Sequence, residues 1–215
     1  MKIEYLGHSC FRLQTANGAT VLTDPYTGVG YELPRGLKAD ILLVSHAHFD
    51  HAHIQAVSAQ RVVNTAGEYE LFGVKICGVE SDHDPLGGTL RGKNIIYKIQ
   101  ADGLTVCHFG DLGEPCDPDI LEKIGQVDVV LLPVGGNYTI DANEAKAYID
   151  KIKPRAAIPM HYKPTDGTID IDGAERFLRL FDRITYACPK HEVDLSSALS
   201  GSEKTEIIFM ERERK

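Results

Sequence analysis

The sequence contains no Cys-x-x-Cys pair. Its five cysteines, Cys10, Cys77, Cys107, Cys116 and Cys188, are scattered and odd in number. That pattern speaks against a disulfide framework and for reduced thiols. No apolar run approaches the roughly 20 residues that a membrane-spanning helix needs. The opening residues, MKIEYLGHSC, lack the apolar stretch of an export signal and read as a strand from the start. Basic clusters are missing apart from RERK at the end, which looks frayed, and the formal net charge is −8. A long nucleic acid is therefore a poor electrostatic match, whereas a small anionic substrate is not excluded. There is no short-period repeat, no low-complexity tract and no clear linker. These absences lead to the expectation of one domain over residues 1–215, soluble and cytoplasmic, with no membrane partner. Self-association to a homo-oligomer stays open.

What remains is an ordinary globular composition, 43% hydrophobic and 25% charged. Short strands joined by turns come first: KIEYL (2–6), CFRLQT (10–15) and ATVLTD (19–24), with turn residues at Gly7 and at Asn17-Gly18. Residues 25–38, rich in proline and glycine, read as a loop. ILLV (41–44), VDVVLLPV (127–134) and RAAIPM (155–160) are continuous apolar runs, as in strands buried on both faces. RVVN (61–64), VKICGVE (74–80) and TEIIFM (205–210) add further strands, and NIIYKIQ (94–100) and LTVCHF (104–109) flank an Ala-Asp-Gly hairpin signal. Helices are expected at 141–153, where Asp141 and Glu144 form a capping-box pattern, after Asp117-Pro118, and at 174–181 with Asp172 as cap. Meandering strands followed by alternating strands and helices predict an α/β fold of two sheets covered by helices.

Polar residues gather just after the predicted strands. Asp24 follows TVLT, Asp111 follows LTVCHF, Asn137 and Tyr138 follow VVLLPV, and His161 follows AAIPM. After ILLV comes SHAHFDHAH (45–53), with four histidines and an aspartate in nine positions. Separated by one residue, His46 and His48 can turn to the same side of an extended strand end. Asp50 and His51 lie past the turn. Such an arrangement offers two imidazoles to one cation and a carboxylate with an imidazole to a neighbouring one. Nitrogen and oxygen donors of this kind suit zinc, and also manganese, iron or nickel. Imidazoles packed together without a cation repel one another when protonated and waste desolvated polar surface when neutral.

S-H-A-H-F-D-H (45–51) resembles the HxHxDH signature of the metallo-β-lactamase fold superfamily, and Gly110-Asp111 and the lone His161 resemble its later motifs. GHS (7–9), TDP (23–25), HFGD (108–111), PVGGNYT (133–139) and IPMHY (158–162) are similar to one branch, small Zn-dependent hydrolase-like proteins related to ascorbate-6-phosphate lactonase. The resemblance spans residues 3 to about 163. It implies a four-layer αββα sandwich and two adjacent divalent metals. His46 and His48 would bind the first, Asp50 and His51 the second; Asp111 would bridge them and His161 complete the second site. Asp50 and Asp111 would be the carboxylates of the catalytic centre.

The resemblance also implies one more histidine for the first metal, between HxHxDH and GD, either His83 or His108. Three residues of extended strand cover about 10 Å, so His108 points away from Asp111 unless the chain bends sharply. Motif order also favours His83. Asp24 is expected to steady the HxHxDH loop. His8 is either a hairpin histidine or a group at the rim of the site, and His53 a packing or capping residue. Asn137, Tyr138, Tyr162, Arg91 and Lys93 are weaker candidates for touching a substrate.

The expected activity is a metal-dependent hydrolase, in which a hydroxide between two metals attacks an ester, lactone or phosphoester of a small molecule. The alternatives are a phosphodiesterase or nuclease, and a non-enzymatic metal-binding regulatory protein on the same scaffold.

Overall fold

Two sheets face each other in the computed structural model of the chain, which describes residues 1–199 and 204–214. The first sheet holds β1 (Lys2–Gly7), β2 (Cys10–Gln14), β3 (Thr20–Thr23), β4 (Leu37–Leu43), β5 (Val57–Val63) and the late strand β13 (Glu192–Asp194), in the order β13-β1-β2-β3-β4-β5. The second holds β6 (Gly67–Leu71), β7 (Val74–Asp82), β8 (Lys93–Ala101), β9 (Leu104–His108), β10 (Val129–Pro133), β11 (Ala156–Met160), β12 (Thr185–Tyr186) and β14 (Glu206–Phe209), in the order β12-β14-β11-β10-β9-β8-β7-β6. The helices are α1 (Pro118–Ile124), α2 (Ala142–Ile152), α3 (Glu175–Leu178) and α4 (Leu195–Ala198). No helix among the described residues is long and apolar enough to cross a membrane.

Strand alternation explains the layering. Val21 and Ile41 turn into the shared core between the sheets, while their neighbours Leu22 and Leu42 turn the other way into a second apolar cluster. That outer cluster is covered by Tyr26 and Val29 from the loop after β3, and by Ile54 from a single 3₁₀ turn, Ile54–Ala56. β10 and β11 are buried along their whole length, as strands between a sheet face and a helix layer must be. α2 packs on β10 and α3, and α1 packs on β7. α2 starts with the expected capping box, Asp141 accepting from the Asn143 and Glu144 N–H groups. The result is the expected α/β sandwich, with one outer layer made mostly of loop.

Several elements depart from the sequence expectation, each for a local reason. β4 begins at Leu37, inside the expected loop, and β5 at Val57. β6 and the first half of β5 are largely exposed, so apolar periodicity does not mark them. β12, β13 and α4 are too short to leave a pattern. α3 stops at Leu178 and has no side-chain cap, because the Asp172 carboxylate pairs with Arg176 at 3.3 Å instead. Within the RERK segment expected to fray, Arg212 is docked: its guanidinium lies 4.0 Å from the Tyr31 ring centre and pairs with Asp166, while Lys215 lies outside the described residues.

Topology then decides where the chemistry gathers. β1 and β3 are both antiparallel to β2, hence parallel to each other, and β4 is parallel to β3. In the second sheet β7 and β9 are both antiparallel to β8, and β10 and β11 continue parallel to β9. The C-terminal ends of β1, β3 and β4 thus share one edge of the first sheet, and those of β7, β9 and β11 one edge of the second. The two edges are tied together where the His161 N–H donates to the His8 carbonyl (2.9 Å) and the Ile95 N–H to the Ser45 carbonyl (3.0 Å).

Candidate metal centre

Six strand ends deliver polar side chains to this joint edge: His8 after β1, Asp24 after β3, the 45–51 segment after β4, His83 after β7, Asp111 after β9 and His161 after β11. Asp111 sits at the middle. Its Oδ2 lies 3.3 Å from His83 Nε2, 3.3 Å from His161 Nε2 and 3.8 Å from His46 Nε2, and its Oδ1 lies 3.1 Å from His51 Nε2. Two donor groups flank it. His46, His48 and His83 form one, and His8, Asp50, His51 and His161 the other, with the donor atoms of each group all within 4.8 Å of one another. Every sequence-predicted donor is therefore in the cluster. His83, not His108, is the histidine that joins it.

His108 is spent elsewhere. Its Nε2–H donates to the Ser9 carbonyl at 2.9 Å and its Nδ1 accepts from the Gly110 N–H at 3.1 Å, in a fully buried position. His53 holds the Tyr26 carbonyl at 3.2 Å and stays outside the cluster. Tyr162 is packed, its hydroxyl donating to the Met210 carbonyl at 2.8 Å. Lys93 is paired with Asp82 on the surface. Asn137 uses its amide to hold the Asp170 carbonyl at 2.7 Å.

The Gly110-Asp111 turn has a steric cause. Gly110 has φ +55, and a Cβ there would meet Asn94 Oδ1 at 2.2 Å and Ser45 Cβ at 2.7 Å. Asn94 accepts from the Asp111 N–H at 2.9 Å and donates to the Phe109 carbonyl at 2.8 Å, which turns the Asp111 side chain into the cluster. Behind the histidines, Asp24 accepts from His51 Nδ1 at 2.8 Å, from the Ser45 N–H at 2.8 Å and from Ser45 Oγ at 2.6 Å, and Ser45 Oγ lies 2.9 Å from His46 Nδ1. An ionised carboxylate only accepts, so this chain puts a hydrogen on Nδ1 of both His51 and His46 and turns their Nε2 atoms toward Asp111. Asp24 thus orients His51 directly and His46 through Ser45. Ser45 stands in the quoted 45–51 stretch with no role read for it, and Asn94 only opens the expected strand at 94–100.

Electrostatics follow from burial. Burial, with His51 beside it, lowers His46 to about 3. Burial, with His161 beside it, lowers His8 to about 4. Burial also opposes ionisation of Asp111, but His161 and His51 outweigh it and hold the carboxyl well below its usual range. Burial opposes charge on His51, and Asp111 and Asp24 overcome it and raise that imidazole well above 6.5.

These residues fit a divalent cation. His46 Nε2 is buried with no hydrogen-bond partner, and His51 Nε2 and Asp111 Oδ1, though 3.1 Å apart, meet without hydrogen-bond geometry, a costly state unless something else meets them. Donors about 2.1 Å from a tetrahedral metal stand about 3.4 Å from one another, close to the 3.1–3.8 Å spacings around Asp111. A cavity of about 550 Å³ opens above the cluster, lined by His48, Asp50, His83, Asp111 and His161 at its base and by Phe49, Arg91, Tyr138 and Ile169.

Fold and donor set together define a metal-dependent hydrolase of the metallo-β-lactamase type. A family profile described as a beta-lactamase superfamily domain matches residues 2–161. A UPF0173 metal-dependent hydrolase of Thermococcus onnurineus (strain NA1) is 31% identical over 191 residues, 75% of this chain and 84% of that protein. A UPF0173 metal-dependent hydrolase of Thermoplasma acidophilum is 31% identical over 193 residues, 77% of this chain and 85% of that one. Among solved structures, a candidate Zn-dependent hydrolase of the metallo-beta-lactamase superfamily from Thermotoga maritima superposes with a TM-score of 0.79 at 35% identity, covering 97% of both chains. The chain belongs to the metallo-β-lactamase superfamily and, within it, to the UPF0173 metal-dependent hydrolases.

Proposed function

We propose that this hydrolase holds two divalent cations and cleaves an ester, lactone or phosphoester of a small molecule. His46, His48 and His83 hold the first cation, Asp50, His51 and His161 the second, and Asp111 stands between them. The observation that carries this reading is Asp111 itself, whose carboxylate lies within 3.8 Å of four imidazole nitrogens drawn from both donor groups. Zinc suits this nitrogen and oxygen set, and manganese, iron or nickel are accepted by the same donors. The chemistry that paired divalent cations supply in such a site is a water nucleophile at neutral pH and stabilisation of the charge that builds on the substrate oxygen. The protein's own contribution is orientation: Asp24 and Ser45 fix two imidazoles, and Asn94 fixes Asp111.

The size and lining of the cavity favour a small substrate. About 550 Å³ is enough for a metabolite-sized molecule, and Phe49, Ile169 and Tyr138 offer apolar contact. Arg91 supplies a positive charge. Its guanidinium donates to the Asn137 carbonyl at 3.1 Å and lies 5.5 Å from the Tyr138 ring centre. It makes no ion pair among the described residues. The Arg91 N–H is held by Asp84, which also accepts from the Leu86, Gly88 and Leu90 N–H groups and so gathers the loop after His83. A substrate carrying a carboxylate or phosphate fits this wall, and similarity to the lactonase branch favours an ester or lactone. The free cysteines suit a cytoplasmic setting.

A screen of metal-reconstituted protein against lactones, carboxylic esters and phosphodiesters tests the reading. Turnover of lactones or esters is expected. Turnover of phosphodiesters alone favours a phosphodiesterase instead.

A further inference from the structure

His8 lies outside the donor motifs, on the turn between β1 and β2, yet it touches two members of one donor group by two different routes. Its Nε2 lies 3.2 Å from Asp50 Oδ2, and its backbone carbonyl accepts from the His161 N–H at 2.9 Å. The ring centre is 4.3 Å from that of His161 and 5.2 Å from that of His51. We propose that His8 is a positioning residue of the second cation site, holding Asp50 with its ring and His161 with its backbone. This rests on the binuclear reading above.

The turn is anchored as a positioning device needs to be. His8 is 1% exposed and has φ 54, an uncommon conformation for a residue other than glycine. Its N–H donates to Tyr31 Oη at 3.1 Å, and its carbonyl also accepts from Tyr5 Oη at 3.0 Å. The preceding Gly7 has φ 114, and a Cβ there would meet Tyr31 Cε2 at 2.8 Å and Tyr26 Oη at 2.9 Å. Three tyrosines therefore hold the turn against the cluster.

The chemistry separates positioning from direct ligation. The His8 Nε2–Asp50 contact has hydrogen-bond geometry, which the Nε2 atoms of His46 and His51 do not have toward Asp111, and an ionised carboxylate only accepts, so the His8 nitrogen carries the hydrogen. A nitrogen that carries a hydrogen has no lone pair for a cation. Asp50 Oδ2, also 3.8 Å from His51 Nε2, keeps a second lone pair after accepting from His8. His8 thus fixes the carboxylate without competing for the cation.

The test compares wild type, His8→Ala and His8→Gln by titrating metal-free protein with zinc against a chromophoric chelator. In wild type two binding steps are expected, and in His8→Ala one of them weakens by about 10–100-fold, as when a group that orients a ligand is removed. His8→Gln keeps an N–H at the same reach and recovers most of the loss. Unchanged zinc affinities in His8→Ala overturn the proposal. So does a ring ¹⁵N spectrum of zinc-loaded wild type in which His8 Nε2 carries no hydrogen, a measurement that needs no variant to fold. A wild type that binds fewer than two zinc ions sinks the binuclear reading instead. The proposal is then decided by the remaining affinity, and no change there in His8→Ala overturns it.

Discussion

Asp24 Oδ2 lies 2.8 Å from His51 Nδ1, both residues fully buried, and that contact decides which nitrogen of the His51 ring faces the cluster. The same carboxylate receives the Ser45 N–H and the Ser45 hydroxyl. Asp24→Asn has one acceptor oxygen where three donors converge, so at least one donor loses its partner. The expected cost is about 1–3 kcal/mol of stability, with zinc affinity lowered about 10–100-fold. Chemical denaturation and a zinc titration measure the two effects; wild-type zinc affinity in the variant would remove Asp24 from the account.

His83 and His108 should separate cleanly. His83→Ala removes a donor from the cluster and is expected to lose one zinc per chain. His108→Ala leaves the Ser9 carbonyl and the Gly110 N–H without their partner, so it should destabilise by about 1–3 kcal/mol and still bind both zinc ions. Elemental analysis beside thermal unfolding distinguishes them, and the reverse pattern would restore His108 as the donor.

Arg91→Leu addresses the substrate. For a pair of activated esters alike except that one carries a carboxylate, the variant should raise KM for the anionic ester about tenfold or more and leave the neutral ester within about twofold. A loss of roughly 1.4 kcal/mol of binding corresponds to that tenfold change. Equal effects on both esters would show that Arg91 shapes the cavity without reading charge.

Stability of the metal-free protein should peak near pH 6.5. Burial holds His8 at about 4 and His46 at about 3, against an ordinary 6.5. Between about 4 and 6.5 the unfolded chain binds protons on these residues that the folded chain does not. Stability therefore rises with pH through that window, by about 1.4 kcal/mol per pH unit for each proton. His51 works in the opposite sense. Burial opposes its charge, but Asp111 and Asp24 raise it well above 6.5. Its stabilising proton is fully bound below 6.5, and the contribution is lost as pH rises through the raised folded value. Urea unfolding of chelator-treated protein from pH 4.5 to 8.5 measures the sum, and a flat profile would contradict these assignments.

Much of the site was legible because it is written at strand ends. His46, His48, Asp50 and His51 are adjacent in sequence, and the buried strands before Asp111 and His161 are plain apolar runs. What could not be read is what the topology supplies. His8 precedes the cluster by about forty residues of chain, and only the parallel arrangement of β1, β3 and β4 brings it to Asp50. Ser45, Asn94 and Asp84 act by accepting or relaying backbone and side-chain hydrogen bonds, which leaves no periodicity. In the fold, the exposed edge strand β6, the first half of β5 and the short β12, β13 and α4 were missed for the same reason: little apolar surface, hence little pattern. The docking of Arg212 on Tyr31 depends on two segments almost the whole chain apart.

The most direct test of the account is a count of metal. After removal of metal, reconstitution with zinc and exhaustive buffer exchange, the wild-type protein is expected to hold two zinc ions per chain. Asp111→Asn, which loses the carboxylate between the two donor groups, is expected to hold one or none. Wild type holding less than one, or Asp111→Asn holding two with unchanged affinity, would contradict the two-cation centre.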